Sequence, residues 1–153
     1  MAKACVEAAR FFLKGKRGVC RFVRAANYSS LPREEYFNRA NEALIIIQLE
    51  GKEAIQDIDN ILKVEGIDII FIGPYDLSQS LGVPGQVSHP LVIDAMNSIV
   101  ERARSQDIIV GTFTDTLQSA EMWKKAGVQY ISYSVDVGIF TDACHQLVKN
   151  LNT

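Results

Sequence analysis

The chain has 153 residues, of which 48% are hydrophobic and 22% are charged. This composition is typical of one globular domain and excludes a disordered chain, a collagen or a small disulfide-bonded scaffold. No apolar run reaches the roughly 20 residues of a membrane-spanning helix, and no secretory signal opens the chain, so we expect no membrane partner. The cysteines at positions 5, 20 and 144 form neither a disulfide framework nor a zinc motif, which indicates a cytoplasmic protein.

The net charge of −2 is unevenly distributed. Residues 1–30 carry seven basic side chains and one acidic side chain, and the remainder carries nine basic and seventeen acidic. A basic arm of this kind is compatible with nucleic-acid binding or with an organelle transit peptide. Apolar residues are interleaved with the basic ones, which favours a structured segment that packs its apolar side chains. We therefore expect no nucleic-acid partner.

The predicted elements begin with helices. Apolar residues between Cys5 and Phe12 have helical spacing, and this helix is expected to end at Gly15. A second, short helix is expected to begin at Pro32. Residues 1–42 thus form a helical, basic lead-in, and together with residues 43–153 they are expected to make one domain.

Four strand–helix units follow. Four runs rich in Ile, Val, Phe and Tyr have the length and composition of buried parallel strands; they cover residues 43–50, 67–72, 108–113 and 129–135. After each run, apolar residues recur at helical spacing, in segments 54–62, 92–103, 117–126 and 140–151. Residues 73–88 form the longest stretch without a predicted element. Successive strand–helix units need crossover connections, so the sequence predicts an α/β fold with one parallel sheet and its helices outside.

An acidic residue lies at or soon after the end of each predicted strand: Glu50, Asp76, Asp115 and Asp136. Because the carboxyl ends of parallel strands share one edge, the four carboxylates are expected to face a common rim. Their oxygens suit Mg²⁺ or Mn²⁺. Asp115 and Asp136 can equally serve as helix N-caps. Glu50 is the strongest candidate, since Glu is a poor cap and a carboxylate ending a buried strand is costly to leave unpaired.

The segment after the second strand is the most informative. Gly73 permits a positive φ or close ligand approach, and Pro74 stiffens the turn. The backbone N–H groups of Tyr75, Asp76 and Leu77 would then face a small anion such as a carboxylate.

Several motifs carry a resemblance to a known family. They are Gln48-Leu-Glu50, Gly66 through Ser78, Ser80-Leu-Gly82, His89-Pro90, Glu7 through Arg10, Gly15 through Gly18, Gly127 and Tyr130 through Asp136. Together they resemble the C-terminal half of the HpcH/HpaI aldolase/citrate lyase family, in particular its metal-dependent 2-oxo-3-deoxy-sugar-acid and 4-hydroxy-2-oxo-heptanedioate aldolases. The resemblance runs along nearly the whole chain.

The resemblance implies a phosphoenolpyruvate-binding barrel of the TIM-barrel type, of which this chain is about half: four βα units preceded by N-terminal helices. It implies cleavage of 4-hydroxy-2-oxo acids to pyruvate and an aldehyde, with a divalent cation (Mg²⁺, Mn²⁺ or Co²⁺) stabilising the enolate. Glu50 and Asp76 match the two metal ligands, and Gln48 matches a catalytic side chain near the pyruvate oxygens. The backbone from Gly73 to Asp76 matches the part that receives the pyruvate carboxylate.

The family's catalytic histidine, and an arginine that neutralises the oxo oxygen, belong to the half with no counterpart here. His89 opens a predicted helix and is expected to be a cap or a surface residue. His145 is expected to be structural, on a helix outside the sheet. The predicted strands contain no lysine, which agrees with metal chemistry rather than a Schiff base.

A complete barrel of this class has about 250 residues, roughly 100 more than this chain. A half-barrel would expose its barrel-facing Ile and Val side chains and two strand edges, so we expect a homo-oligomer. Alternatively, the N-terminal helices fold over the open side. The predicted function is an aldolase that acts without its acid/base half. The alternative is a non-catalytic half-barrel that binds metal and a 2-oxo acid, or acts as an assembly partner.

Overall fold

The computed structural model describes residues 1–152. Its centre is an all-parallel, four-stranded sheet in the order β1-β2-β3-β4. The strands are β1 Ile46–Leu49, β2 Ile69–Ile72, β3 Ile109–Thr114 and β4 Tyr130–Tyr133. All four predicted strands are present, and the predicted α/β class with a parallel sheet is confirmed.

Helices precede and follow the strands. They are α1 Ala2–Ala9, α2 Arg33–Asn41, α3 Lys52–Gln56, α4 Ile58–Leu62, α5 Pro74–Ser80, α6 Pro90–Arg104, α7 Leu117–Ala126 and α8 Asp136–Leu151, with a 3₁₀ turn at Arg24–Ala26. The single helix predicted over residues 54–62 is divided at Asp57, whose ψ of 11° interrupts the helical backbone. The segment 73–88, predicted to be irregular, contains α5.

Helix α6 shows how local sequence sets an element. Pro90 occupies its first turn, and His89 is the N-cap, with a side chain that accepts a hydrogen bond from the Leu91 N–H at 3.3 Å. The prediction that His89 caps this helix is confirmed. One stripe of the helix is buried against the sheet; its members are Val92, Met96, Ile99, Val100 and Ala103.

The sheet has one covered face and one open face. Side chains that alternate along the strands towards the helices are buried, and Ile70, Ile72 and Val110 are each 0% exposed. The opposite side, here called the open face, carries Ile46, Gln48, Ile69, Phe71, Ile109, Gly111, Phe113, Tyr130 and Ser132. Ile46 and Ile109 on this face are 43% and 41% exposed.

The N-terminal helices do not cover the open face, so that alternative is wrong. Helix α1 instead packs beside the start of the sheet, where Val6 joins the main apolar core. Arg10 lies 3.7 Å from the Asp68 carboxylate, which also accepts a hydrogen bond from the Ile45 N–H at 2.7 Å. These contacts hold α1 at the amino end of β1 and β2 and leave the open face to solvent.

The basic lead-in is a structured segment, as its interleaved apolar residues predicted. Phe11, Ala26 and Tyr36 are buried in a small second cluster. Arg17 lies 4.9 Å from the centre of the Phe11 ring, and Arg21 donates hydrogen bonds to two backbone carbonyls of the same segment. Most of these cations therefore have intramolecular roles.

Helix α8 departs from the predicted pattern of helices packed outside the sheet. It has no buried residue, and its apolar side chains at Val137, Phe140 and Leu147 are exposed. His145 on this helix is likewise exposed, so its expected structural role is not found. Within residues 1–152, none of the helices has the length and apolar character needed to cross a bilayer.

Candidate functional site

Gln48 and Glu50 come together at the carboxyl end of β1. Leu49 pairs with Ile72 at the end of β2, and the Gly73 N–H donates to the Leu49 carbonyl at 3.0 Å. The two polar side chains, two residues apart on an extended backbone, point to the same side. Gln48 Nε2 donates to Glu50 Oε2 at 2.6 Å. The two side chains are therefore already oriented with respect to each other.

Gly73 makes room for this pair. A Cβ atom at this position would lie 3.0 Å from Glu50 Oε2 and 3.1 Å from Gln48 Nε2. Its φ of −88° is one that other residues adopt readily, so the prediction of a possible positive φ does not apply. The glycine is needed because two polar side chains close over its backbone. The close approach of a ligand stays a prediction.

Asp76 lies in the first turn of α5, directly after β2. Gly73 is the N-cap of this helix and Pro74 is its first residue. Pro is common at the first helical position because the N–H group that it lacks has no partner within the helix there. The prediction that three successive backbone N–H groups face a small anion here is wrong in one respect. The Leu77 N–H donates to the Gly73 carbonyl at 2.9 Å and is used by the helix, which leaves the N–H groups of Tyr75 and Asp76 ahead of the first helical bond.

Side-chain bonds brace both strand ends at this site. The buried Thr112 Oγ1 on β3 donates to the Ile72 carbonyl at 3.0 Å and fixes the end of β2. Ser80 Oγ on α5 accepts from the Lys52 N–H at 2.9 Å, two residues after Glu50. The loops that carry Glu50 and Asp76 are thus tied to each other and to the neighbouring strand.

Asp115 has a different partner from the one predicted. Thr116, not Asp115, caps α7, because the Thr116 hydroxyl accepts from the Ser119 N–H at 3.2 Å. The Asp115 carboxylate instead accepts a hydrogen bond from the Tyr75 hydroxyl. This bond raises the pKa of Tyr75 above its ordinary value; burial and the negative charge of Asp115 act in the same direction.

Asp136 does not join the site either. It is the first residue of α8, where Val135 is the N-cap, and its carboxylate accepts from the Val137 N–H at 2.8 Å. Within residues 1–152 no group of three or more His, Cys, Asp or Glu residues could hold a metal ion. The four carboxylates therefore do not converge on one cation, because β1 and β4 lie at opposite edges of the sheet, about 14 Å apart at the usual strand spacing.

The remaining pair, Glu50 and Asp76, has the chemistry that a hard divalent cation needs. The two carboxylates follow neighbouring strands, and the amide of Gln48 adjoins one of them. Mg²⁺ commonly takes one or two protein carboxylates and fills its other positions with water and substrate oxygens. The donor set and the space kept open by Gly73 both fit such an ion.

The sequence contained one signal for α5 that the prediction missed. Gly-Pro followed by an acidic residue in the first turn is a common start of a helix. Ser78, buried within α5, donates to the Tyr75 carbonyl at 2.5 Å and accepts from the Gly85 N–H at 2.8 Å. It closes the loop after the helix, and no spacing rule identified it.

The profile of the HpcH/HpaI aldolase/citrate lyase family matches residues 1–143. The chain belongs to this family. A 2-keto-3-deoxy-L-rhamnonate aldolase from Salmonella paratyphi B is 37% identical over 144 residues, which cover 93% of this chain and 53% of that protein. The chain thus spans about half the length of the curated relatives that it matches.

Solved structures give the same family and define the fold. A HpcH/HpaI aldolase/citrate lyase family protein from Burkholderia cenocepacia superimposes with a TM-score of 0.92 at 30% identity, over 99% of this chain and 60% of that one. A HpcH/HpaI aldolase from Desulfitobacterium hafniense has a TM-score of 0.81, also at 30% identity, over 95% of this chain and 57% of that one. The four βα units are therefore part of a TIM-barrel-type fold, about half a barrel, as the sequence predicted.

Proposed function

We propose that this chain is the metal-binding half of a divalent-metal-dependent aldolase. Such a carbon–carbon lyase splits a 4-hydroxy-2-oxo acid into pyruvate and an aldehyde. The observation that carries the proposal is the Gln48–Glu50 pair, joined by a 2.6 Å hydrogen bond and closed over Gly73. Membership of the family, and relatives named as aldolases, support the same reaction class.

Each residue of the site has a proposed role. Glu50 and Asp76 would hold Mg²⁺, Mn²⁺ or Co²⁺, because they are the carboxylates that follow neighbouring strands. Gln48 donates one amide hydrogen to Glu50, and its second amide hydrogen would donate to an oxygen of the 2-oxo acid. The first-turn N–H groups of Tyr75 and Asp76 would receive the substrate carboxylate.

The chemistry divides between these residues and the cation. When bound, a divalent cation supplies positive charge that stabilises the negative charge developing on the 2-oxo oxygen. Gln48 orients the substrate and Glu50 is held in place by Gln48. We expect neither histidine of the chain to act as the acid or base, because the His89 side chain caps α6 and His145 is exposed on α8. General acid–base catalysis contributes about 10²–10⁴-fold, and turnover by this chain alone should be slower than that of a complete enzyme by a factor of that order.

The second candidate is a half-barrel that binds metal and a 2-oxo acid without turnover, or that serves as an assembly partner. The exposed open face favours it, because Ile46, Ile109 and Tyr130 are each more than two-fifths exposed. The chain also covers only 53% of its 2-keto-3-deoxy-L-rhamnonate aldolase relative. Both observations favour a half-barrel that functions in association with another polypeptide segment or a second copy of the chain.

One pair of measurements separates the two candidates. The first is the release of pyruvate from a 4-hydroxy-2-oxo acid with and without Mn²⁺, and the second is calorimetric binding of oxalate in the presence of Mg²⁺. Glu50→Gln should abolish both signals, whereas Glu53→Gln, the same change at an exposed position in α3, should preserve them. Mn²⁺-dependent release supports the aldolase, and binding without release supports the second candidate. A wild-type chain that shows neither would overturn the aldolase and the half-barrel that binds metal and a 2-oxo acid, and only the role of assembly partner would remain.

We also propose that the chain self-associates. Apolar side chains are exposed on the open face and at Phe140 and Leu147 on α8, and contiguous exposed apolar surface commonly marks an interface. The free edges of β1 and β4 add unpaired backbone groups. Light scattering at tens of micromolar should report a mass above the 17.0 kDa of one chain, and a stable monomer would contradict this. The cytoplasmic location and the single domain stay predictions.

A further inference from the structure

A hydrogen bond links the candidate site to the next strand of the sheet. The Tyr75 hydroxyl donates to the Asp115 carboxylate, 40 residues away in sequence. The Tyr75 ring also packs against the Phe113 ring, with centroids 6.2 Å apart and planes inclined by 58°. Phe113 and Asp115 lie on and just after β3, so the side chain of Tyr75 spans from α5 to the end of that strand.

The start of α5 is held by tertiary contacts, and the link from Tyr75 to Asp115 is the side-chain hydrogen bond that joins its first turn to β3. The helix has only seven residues, and no side chain caps its N-terminus. Short helices are marginal without tertiary contacts, so outside contacts decide where the first turn lies. Asp76, adjacent to Tyr75, is exposed, and its carboxylate accepts no hydrogen bond within residues 1–152. The position of the Asp76 carboxylate is therefore set by the position of the first turn of α5.

The link also occupies Asp115. Thr116 caps α7, which leaves the Asp115 carboxylate free to accept from Tyr75. Because it accepts the phenol hydrogen, the Asp115 carboxylate is held towards Tyr75. Among the residues described, no group of three or more His, Cys, Asp or Glu side chains could hold a metal ion.

We infer that Tyr75 and Asp115 are a positioning pair that fixes the first turn of α5 and so aligns Asp76 with Glu50 for a divalent cation. The inference rests on the proposed function. Neither member of the pair touches the cation. Each acts through Asp76, and the loss of either one misplaces that carboxylate while Glu50 stays in place.

The test is Mn²⁺ affinity, measured from the electron paramagnetic resonance signal of the free ion, with and without oxalate. Tyr75→Phe and Asp115→Ala should each weaken binding by about 3- to 10-fold, the equivalent of one hydrogen bond. Asp115→Asn retains an oxygen acceptor for the phenol and should bind within about 2-fold of wild type, as a rescue by the conservative change. The double variant Tyr75→Phe/Asp115→Ala should be no weaker than the weaker single variant.

Tyr133→Phe is the matched control. Tyr133 is 42% exposed, against 44% for Tyr75, and its hydroxyl has no hydrogen bond within the described part of the chain. This variant should bind Mn²⁺ as wild type does. Deuterium uptake at the amides of residues 75–78 should rise in Tyr75→Phe without metal and stay unchanged in the control.

Failure of the inference and failure of the proposed function give different results. If wild type binds Mn²⁺ and Glu50→Gln does not, while Tyr75→Phe and Asp115→Ala bind normally, the positioning pair is refuted and the metal site stands. Equal weakening by Asp115→Asn and Asp115→Ala would also refute it, because the charge rather than the hydrogen bond would then matter. A wild-type chain that binds no Mn²⁺ overturns the proposed function and the inference with it.

Discussion

Replacing Gly73 by alanine tests the closest contact of the candidate site. The new Cβ would lie 3.0 Å from Glu50 Oε2, 3.1 Å from Gln48 Nε2 and 3.3 Å from Glu50 Cβ. Alanine adopts a φ of −88° without strain, so the backbone of the turn can stay as it is. The cost therefore falls on the side chains of Gln48 and Glu50.

The contacts set the size of the effect. Both polar ends must move by a few tenths of an ångström, and the 2.6 Å hydrogen bond between them lengthens or breaks. A hydrogen bond is worth about 1 kcal/mol net, so we expect the free energy of unfolding to fall by at most about that amount, or about 2–4 °C in Tm. Metal–ligand distances tolerate only about 0.2 Å, and a displaced Glu50 should weaken Mn²⁺ binding by about 10-fold or more.

The assay pairs thermal unfolding with Mn²⁺ titration. Gly18→Ala is the control, since a Cβ at Gly18 would have no atom within 4 Å and should change neither quantity. Mn²⁺ affinity equal to that of wild type in Gly73→Ala would refute the role of the glycine as a space for the Gln48–Glu50 pair. A large loss of stability with unchanged affinity would refute the reasoning as well, because the backbone would then carry the cost.

Two further predictions concern the sheet and the lead-in. Gly111→Ala should destabilise the chain by about 1–3 kcal/mol, because its Cβ would lie 2.7 Å from the Tyr130 ring and 2.9 Å from the Phe71 ring; an unchanged denaturation midpoint would contradict this. The pKa of the Glu7 carboxyl should lie below its ordinary value, since Lys16 donates to it at 2.7 Å. The pair thus stabilises the fold above the ordinary Glu pKa, and this contribution is lost as the pH falls through the lowered value. An NMR titration in which Lys16→Met leaves the Glu7 pKa unchanged would exclude Lys16 as the cause.

The sequence by itself determined the parallel sheet and indicated the residues of the candidate site. Strand-length apolar runs separated by helical stripes allow few arrangements other than successive βα units, and the structure has all four strands. Gln48 and Glu50 could be placed together because side chains two residues apart on a strand share a side. Gly73 belongs with them because β2 ends beside β1. The two-residue repeat of side-chain direction along a strand and the order of the strands in the sheet are enough to infer such contacts.

Tertiary structure alone decided which partners the other polar residues take. Asp115 lies where an N-cap of α7 is expected, yet its carboxylate accepts a hydrogen bond from the Tyr75 hydroxyl, 40 residues away in sequence. Thr116 is the N-cap of α7 instead. Helix α8 has an amphipathic pattern but buries none of it. The carboxylate that follows β4 stays away from Glu50 because strand order sets the distance between strand ends. Spacing along a chain fixes which way a side chain points, whereas its partner depends on which distant segment the fold brings into reach.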